Sequence, residues 1–207
     1  ERYPDPAEMV RKLHEMNMRL MVSVWSKVDA NSELGKQIMS KGYYIPGSEW
    51  IDFFNPDAAA FYWQNFSKGL LQPYGIDAWW QDATEPENDD LYNRRINNGK
   101  VPGEVYRNVY PIYVNKTVYE GLRKDAPHKR AIILTRSGFS GMQRYAAATW
   151  SGDVGNDWET LRRQIAGGLN QMASGLPWWT YDAGGFFRPG DQYTDKVYQE
   201  RLSLIHI

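Results

Sequence analysis

The feature that most constrains the fold of this chain is the alternation of short apolar segments with helical segments. The segments RLMVSVW (residues 19–25) and AIILT (residues 131–135) are rich in Val, Ile and Leu and too short to be buried helices. Between them lies a helical segment that Asn55 opens as an N-cap, with Pro56 at its first position. Such repetition predicts an α/β domain with a parallel sheet and right-handed crossovers.

The positions of the expected elements follow from the same pattern. We expect about five parallel strands, near residues 19–25, 76–81, 131–136, 146–150 and 178–182. We expect helices over residues 6–17, 55–70, 104–124 and 157–173. The region between the first strand and Phe54 is polar and Gly-rich, and we assign no regular element to it.

Charged or aromatic side chains follow every predicted strand. In chain order these residues are Trp25, Asp82, Arg136, Asp153 and Asp182. In a (β/α)8 TIM barrel the carboxyl ends of the strands form the face on which active sites are built. The pattern therefore predicts a partial (β/α)8 barrel with its site at this face.

The stretch GIDAWWQDATEPE, residues 75–87, has a structural and a functional interpretation. In the structural one, Asp82 is the N-cap of a short helix that opens at Ala83, and Glu85 completes a capping box. In the functional one, the two acidic residues belong to a site. Because the other predicted strands end in a similar way, we favour the functional interpretation.

The composition of the chain argues against several classes of function. The net charge is −1, there is no cysteine, and three histidines are scattered along the chain. We therefore expect no nucleic-acid partner, no disulfide or zinc–thiolate site and no cofactor. No apolar run approaches the roughly 18 residues of a membrane span, so we expect no membrane partner. The localisation stays open between bacterial periplasmic or secreted, which we favour, and cytoplasmic.

A chain that has acidic residues at these positions, no cysteine and many aromatic rings is suited to the hydrolysis of a glycosidic bond. This reaction uses two carboxyl groups that flank the bond, and the candidates are Asp82, Glu85, Asp153 and Asp182. Nine Trp and fourteen Tyr offer flat surfaces for sugar rings, although they also suit a large core. A divalent metal at EPENDD (residues 85–90) is a chemical rival, but the run lacks EF-hand spacing and we expect no metal there.

Three stretches resemble glycoside hydrolase family 31. Residues 75–86 resemble its nucleophile region, G-[IV]-D-x-x-W-x-D-x-x-E-P. Residues 136–145 (RSGFSGMQRY) with 150–153 (WSGD) are similar to its acid/base region, and residues 169–186 continue that region in order. The resemblance covers nearly the whole chain and implies an internal fragment of the catalytic barrel.

The resemblance implies a role for individual residues. Asp82 is the implied nucleophile and Asp153 the implied general acid/base. The implied substrate-binding residues are Trp25, Trp80, Arg144, Trp150, Asp182 and Phe186, with Arg144 also setting the charge around Asp82. Glu85 is implied to support the site by hydrogen bonding, and we expect Arg136 to support it too.

The implied activity is that of a retaining, exo-acting α-glycoside hydrolase that works by double displacement on an oligosaccharide. Residues 77–86 and 144–153 look closest to bacterial α-xylosidases, which favours release of α-linked xylose from xyloglucan-type oligosaccharides. An α-glucosidase or α-transglycosylase of the same family is the alternative. A non-catalytic carbohydrate-binding barrel is a remoter one, because it would lose one of the two catalytic carboxylates.

The resemblance also sets expectations for the domain boundaries. We expect residues 1–200 to form the catalytic barrel fragment and residues 201–207 to be a truncation or read-through tail. The missing strands of the barrel and other domains of the full-length chain are expected outside this sequence.

Overall fold

The computed structural model describes residues 3–88, 91–187 and 196. The chain divides into two compact units, Glu1–Ala147 and Ala148–Ile207, each of which is described separately below. No helix among the described residues is long and apolar enough to cross a membrane.

The first unit contains most of the regular structure. Its strands are β1 (Met21–Trp25), β2 (Ala78–Asp82), β3 (Arg95–Ile96), β4 (Val101–Pro102) and β5 (Ile133–Thr135). Its α-helices are α1 (Pro6–Glu15), α2 (Glu33–Ser40), α3 (Pro56–Phe66), α4 (Gln72–Tyr74), α5 (Gly103–Tyr106) and α6 (Tyr110–Asp125). A π-helical turn (Ser67–Leu71) and two 3₁₀ turns (Arg107–Val109 and Met142–Tyr145) complete it.

Strand β2 lies between β1 and β5, and both pairings are parallel. Side chains alternate along β2, so Trp79 and Gln81 point to one face, where both are fully buried, while Trp80 and Asp82 point to the other. The register places Trp25 of β1 directly opposite Asp82. The parallel register therefore brings an aromatic and an acidic side chain together at the carboxyl ends of two strands.

Helix α3 covers the buried face of β2, and α6 packs on α3 and on β5. The Trp79 ring meets the rings of Trp63 and Phe66 edge to face, with centroids 5.6 Å and 6.1 Å away. The Trp63 ring lies directly on Gly121 of α6, where an added Cβ would come within 2.2 Å of it. The Trp63 Nε1–H donates to Asp125 Oδ2 at 2.8 Å, which joins the two helices next to this contact.

The second unit is smaller. Strand β6 (Ala147–Trp150), which starts at the last residue of the first unit, pairs in parallel with β7 (Trp179–Thr180). The helix between them, α7 (Trp158–Ala173), is capped by Asp157, which accepts the Thr160 N–H at 2.8 Å. The Trp179 ring packs on Gly168 of α7, where an added Cβ would lie 2.4 Å from the ring.

The predicted fold class is confirmed. Parallel strands alternate with helices in both units, as expected for part of a (β/α)8 barrel, and all five predicted strands are present. Each strand begins one or two residues later than predicted, and β5 and β7 also end earlier. The predicted tail, residues 201–207, lies outside the described residues.

Two helical predictions were wrong in detail. The single helix expected over residues 104–124 is interrupted by the 3₁₀ turn before α6, because Pro111 lacks an N–H and its ring clashes with the carbonyl of the residue four positions earlier. The unassigned region before Phe54 contains α2, whose N-cap Ser32 accepts the Gly35 N–H at 2.9 Å. A cap followed by only eight helical residues gives a weak periodic signal.

Candidate active site

Asp82 occupies the carboxyl end of β2, where its side chain is only 17% exposed. Its Oδ1 accepts the N–H of Ala83 at 2.8 Å. Ala83 adopts a left-handed conformation with φ of 54°, and the chain continues through turns to Asn88 rather than into a helix. The capping-box interpretation of Asp82 and Glu85 is therefore wrong, because no helix opens at Ala83.

Arg136 lies directly after β5 and is the centre of an ionic cluster. Its guanidinium binds both carboxylate oxygens of Glu85, at 2.9 Å and 3.0 Å. Its Nη2 lies 3.0 Å from Glu87 Oε1, and its Nη1 lies 3.5 Å from Asp82 Oδ1. Within these four side chains, three carboxylates surround one guanidinium.

The pKa of Arg136 reflects this surrounding. Burial alone would lower the pKa of the guanidinium, whose side chain is 10% exposed. The carboxylates of Glu85, Asp82 and Glu87 outweigh burial and hold the pKa above its usual value. Arg136 therefore stays charged at every physiological pH and acts as a fixed cation beside Asp82.

A buried hydrogen-bond network lies under the cluster. The Thr84 hydroxyl lies 2.9 Å from the hydroxyls of both Thr135 and Ser137, and it accepts the Ser137 N–H at 3.3 Å. The Asn115 amide donates to Thr135 Oγ1 at 3.2 Å from α6. This network joins the segments next to Asp82 and Arg136 to helix α6, which fixes the relative position of the two side chains.

Aromatic rings form the β1 side of the site. Trp25 is 39% exposed and stacks on Trp50, with centroids 6.3 Å apart and planes inclined by 11°. The Tyr62 hydroxyl donates to the Trp25 carbonyl at 3.0 Å, and burial raises the pKa of Tyr62, so its phenol stays a neutral donor. Trp80 shares the face of Asp82 and is half-buried.

Two cavities adjoin this end of the sheet. One has a volume of about 760 Å³, and its lining includes Glu85, Asn88, Tyr92, Arg94, Ser137 and Phe139. The other has a volume of about 340 Å³, and its lining includes Trp25, Lys27, Trp50, Glu87, Asn88 and Arg94. Asn88 and Arg94 line both cavities, so the two lie next to each other on the rim.

Arg144 is not the arginine beside Asp82. It lies in the 3₁₀ turn Met142–Tyr145, where its side chain is exposed and its guanidinium carbon is 6.0 Å from the centre of the Tyr145 ring. The charge role that we expected of Arg144 is met by Arg136, because Arg136 follows β5 directly and β5 pairs with β2.

The second unit brings its predicted residues together through two loops. Asp153 is exposed in the loop after β6, and the next carbonyl, that of Val154, accepts the Phe186 N–H at 2.8 Å. Asp182 lies two residues after β7, and its carbonyl accepts the Gly185 N–H at 2.8 Å. Trp150, by contrast, is 5% exposed, so most of its ring is buried.

Gly185 makes the approach of these two loops possible. Its φ is +80°, and an added Cβ would lie 2.7 Å from the Asn156 Cβ, so a larger residue there would force the loops apart.

Sequence reasoning missed two parts of the site. Trp50 lies in the region to which no element was assigned, and only its stacking on Trp25 reveals its place. The network of Thr84, Thr135, Ser137 and Asn115 was missed although one signal was visible, since Thr84 stands between the two acidic residues of the motif. Among the residues that the structure describes, no group of three His, Asp or Glu side chains is arranged to hold a metal ion.

Comparisons with known proteins agree with this architecture. A sequence model of the Glycosyl hydrolases family 31 TIM-barrel domain matches residues 1–201. An alpha-xylosidase of Saccharolobus solfataricus is 42% identical over 192 residues, which is 89% of this chain and 26% of that protein. An uncharacterized family 31 glucosidase of Pseudescherichia vulneris is 37% identical over 97% of this chain and 40% of that protein.

A solved structure has the same fold. The crystal structure of a GH31 alpha-xylosidase from a soil metagenome, complexed with xylose, superposes with a TM-score of 0.85 and 34% identity over 96% of this chain and 31% of that one. The chain thus spans about a quarter to two fifths of the length of the curated relatives described above. The chain belongs to glycosyl hydrolase family 31 and matches its TIM-barrel domain.

Proposed function

We propose that the protein carrying this domain is a retaining, exo-acting α-glycoside hydrolase, and that its substrate is an α-xyloside of the xyloglucan type. The observation that carries the proposal is the position of Asp82, a largely buried carboxylate at the carboxyl end of β2 with Arg136 3.5 Å away. Membership of the family and 42% identity to a protein named as an alpha-xylosidase support it.

In the proposed mechanism Asp82 is the nucleophile. Its ionised form attacks the anomeric carbon, forms a glycosyl ester and releases the leaving group. A neighbouring cation and an amide N–H both stabilise a charged carboxylate, and Arg136 and Ala83 supply them. Glu85 is the weaker candidate, because Arg136 binds both of its carboxylate oxygens.

Asp153 is the proposed general acid and base. It gives its proton to the leaving glycosidic oxygen in the first step and takes a proton from water in the second, so that Asp82 is released and the anomeric configuration is retained. Its exposed place after a barrel strand supports the role. Asp182 and Phe186, in the loop that hydrogen-bonds to the Asp153 loop, are proposed to contact the sugar.

The cluster around Arg136 supports stabilisation of the transition state. An oxocarbenium-like transition state develops positive charge on the sugar ring. Fixed negative charge is favourable there, and the carboxylates of Asp82, Glu85 and Glu87 outnumber the one guanidinium that they surround. Arg136 is proposed to hold these carboxylates in place rather than to contact the sugar.

Preference for xylose over glucose is proposed to arise from size. The two sugars differ by a hydroxymethyl group. The exposed ring of Trp25, backed by the buried ring of Trp50, offers a bulky wall on the β1 side, and Trp80 lies on the neighbouring strand β2. Discrimination of this kind amounts to roughly 10–200-fold in kcat/KM. An α-glucosidase or a transglycosylase is the second candidate, and the 37% identity to an uncharacterized family 31 glucosidase favours the former.

The mechanism is tested in the full-length protein by chemical rescue. With 4-nitrophenyl α-xyloside, Asp82→Ala is expected to abolish turnover, and azide is expected to restore it as the β-xylosyl azide. Asp153→Ala is expected to form the glycosyl-enzyme with this activated substrate but not with natural glycosides, which need the proton. The control is Glu120→Ala, an exposed carboxylate on α6, which is expected to retain wild-type activity.

Two outcomes would overturn the mechanism: wild-type activity in Asp82→Ala, or β-xylose as the first product of the wild-type enzyme. Equal or higher kcat/KM on the corresponding α-glucoside would reassign the substrate and leave the mechanism standing. A dominant oligosaccharide product on addition of an acceptor sugar would identify a transglycosylase.

A further inference from the structure

The segment that carries Trp50 is tied to the end of β1 through its backbone. We call this segment, residues 45–50, the Trp50 turn. Directly after it, the Ile51 N–H donates to the Ser26 carbonyl at 3.0 Å, one residue beyond Trp25. The Trp50 ring is 3% exposed and stacks on the Trp25 ring. The position of the turn therefore decides how the Trp50 ring supports Trp25.

The tip of the Trp50 turn is contacted by Arg94, which stands 48 positions after Pro46 in the sequence. The Arg94 Nη1–H donates to the Pro46 carbonyl at 2.7 Å. The same nitrogen lies over Gly47, whose φ is +72° and where an added Cβ would come within 2.7 Å of it. A charged donor makes a stronger hydrogen bond than a neutral one does. Arg94 therefore holds the tip of the turn by a hydrogen bond and by close contact.

Arg94 itself projects from a fixed piece of backbone. Its N–H donates at 3.2 Å to the carbonyl of Leu91, which is fully buried. Its carbonyl accepts the Gly103 N–H at 2.8 Å, at the end of the β3–β4 hairpin. The tip of that hairpin is also held, since the Asn98 N–H donates to the buried Asp52 carboxylate at 3.3 Å. A side chain on such a backbone can fix the turn rather than follow its movement.

Arg94 and the Trp50 turn border the same cavity. This is the smaller rim cavity, about 340 Å³, whose lining includes Trp25, Trp50, Arg94 and Glu87. Glu87 belongs to the ionic cluster around Arg136. Arg94 thus borders the same space as the aromatic wall and the loop that follows β2. A shift of the Trp50 turn would change the shape of this space on the side of the wall.

We propose that Arg94 is a positioning residue for the wall formed by Trp25 and Trp50, and through that wall for the discrimination between xylose and glucose. The inference rests on the proposed function. Without the hydrogen bond from Arg94, the tip of the Trp50 turn moves more freely and the Trp50 ring supports Trp25 less rigidly. A wall that yields tolerates the hydroxymethyl group of glucose better, because specificity by size requires that the contact side chains be held in place.

The test compares two substrates in the full-length enzyme, 4-nitrophenyl α-xyloside and 4-nitrophenyl α-glucoside. In Arg94→Gln, the ratio of kcat/KM for the xyloside to kcat/KM for the glucoside is expected to fall roughly tenfold. Loss of folded protein or of positive charge acts on both substrates alike, so neither changes this ratio. The control is Arg95→Gln, which removes the neighbouring exposed guanidinium that donates to the Gly99 and Lys100 carbonyls of its own hairpin. It is expected to keep the wild-type ratio.

A second measurement separates this proposal from the proposed function. Hydrogen exchange followed by mass spectrometry reports the N–H groups of Ile45 and Ser48, which donate to the Trp50 and Ile45 carbonyls inside the turn. Their exchange is expected to be roughly tenfold faster in Arg94→Gln and unchanged in Arg95→Gln. Faster exchange supports the tie between Arg94 and the turn even if neither glycoside is hydrolysed. Unchanged exchange in Arg94→Gln, or an unchanged substrate ratio where exchange is faster, overturns the proposal and leaves the hydrolase proposal standing.

Discussion

The two ends of β2 carry acidic residues of one motif, and their surroundings are opposite in composition. At the amino end, Asp77 accepts hydrogen bonds from His14 Nε2 at 2.7 Å, the Leu20 N–H at 3.0 Å and Lys129 Nζ at 3.2 Å. At the carboxyl end, Asp82 shares Arg136 with Glu85 and Glu87. One carboxylate thus meets several donors at the amino end, whereas several carboxylates meet one guanidinium at the carboxyl end.

This difference indicates that Asp77 stabilises the fold, whereas the cluster around Asp82 is suited to chemistry. Burial alone would raise the pKa of Asp77, but the hydrogen bonds from Leu20, His14 and Lys129 outweigh it and hold that pKa below its usual value. A carboxylate whose oxygens are occupied in this way stabilises the fold and is poorly placed to react. The acidic cluster at the other end keeps negative charge where a cationic transition state is proposed to form.

The largest effect is expected from Asp82→Asn. We expect kcat on 4-nitrophenyl α-xyloside to fall by roughly 10⁴-fold or more, because the amide is not a nucleophile. The thermal unfolding midpoint is expected to change by no more than about 2 °C. If the variant keeps more than a tenth of wild-type kcat, Asp82 is not the nucleophile, and the carboxyl end of β2 has no chemical role that the amino end lacks.

Arg136→Lys is expected to have the next largest effect. Lysine keeps the charge but cannot bind both oxygens of Glu85 in a planar fork, so the three carboxylates lose their fixed positions. We expect kcat to fall by about 100-fold, which corresponds to about 2.7 kcal/mol. If kcat is unchanged while the unfolding free energy falls, the cluster is structural, and the two ends of β2 have the same role.

Asp77→Ala is expected to act on stability instead. The substitution leaves Lys129 and His14 without their carboxylate partner, and the Leu20 N–H without its acceptor. Because both basic side chains are about one-third exposed, we expect a loss of about 2 kcal/mol in unfolding free energy, less than for a fully buried pair. Urea unfolding measures it, and kcat per folded molecule is expected to stay within twofold of wild type.

The smallest expected effect is a pH dependence of that loss. Since the pKa of Asp77 is lower in the folded protein than in the unfolded chain, its contribution is complete above the unfolded value of about 3.9 and is lost as the pH falls through the folded value. The difference in unfolding free energy between wild type and Asp77→Asn is therefore expected to shrink as the pH falls below about 4. A difference that grows as the pH falls from about 4 to 2 would contradict the assignment.

The sequence predicted those parts of the architecture that depend on residues close to one another along the chain. Apolar segments predicted the five strands. Asp82 and Arg136 were identified because each stands at the carboxyl end of a predicted strand. The pairing of Arg136 with Glu85 was not predictable, because it depends on the parallel register of β2 with β5 and not on sequence separation. The sequence also did not show which arginine lies beside Asp82, because Arg136 and Arg144 both follow β5 and only the structure shows that Arg136 is the one.

Trp50 and α2 illustrate a second limit. Both lie in a segment with many polar residues, where capping and stacking on a distant ring decide the conformation. Ser32 caps α2 through a single hydrogen bond, and Trp50 is ordered against Trp25 across the intervening loop. Tertiary contacts of this kind produce no periodic hydrophobic pattern in the sequence, so they cannot be predicted from it.

The register that sets Trp25 opposite Asp82 has a consequence for how such a domain tolerates insertions and deletions. The long connection from Ser26 to Asp77, which includes α2 and α3, can gain or lose a residue in its loops without changing which side chain faces Asp82. One residue added inside β1, with the pairing of Met21 to Ala78 kept, would bring Val24 opposite Asp82 and turn Trp25 toward the helices. Length variation among homologous barrels is therefore expected in the connections, while the distance from Met21 to Trp25 stays constant to the residue.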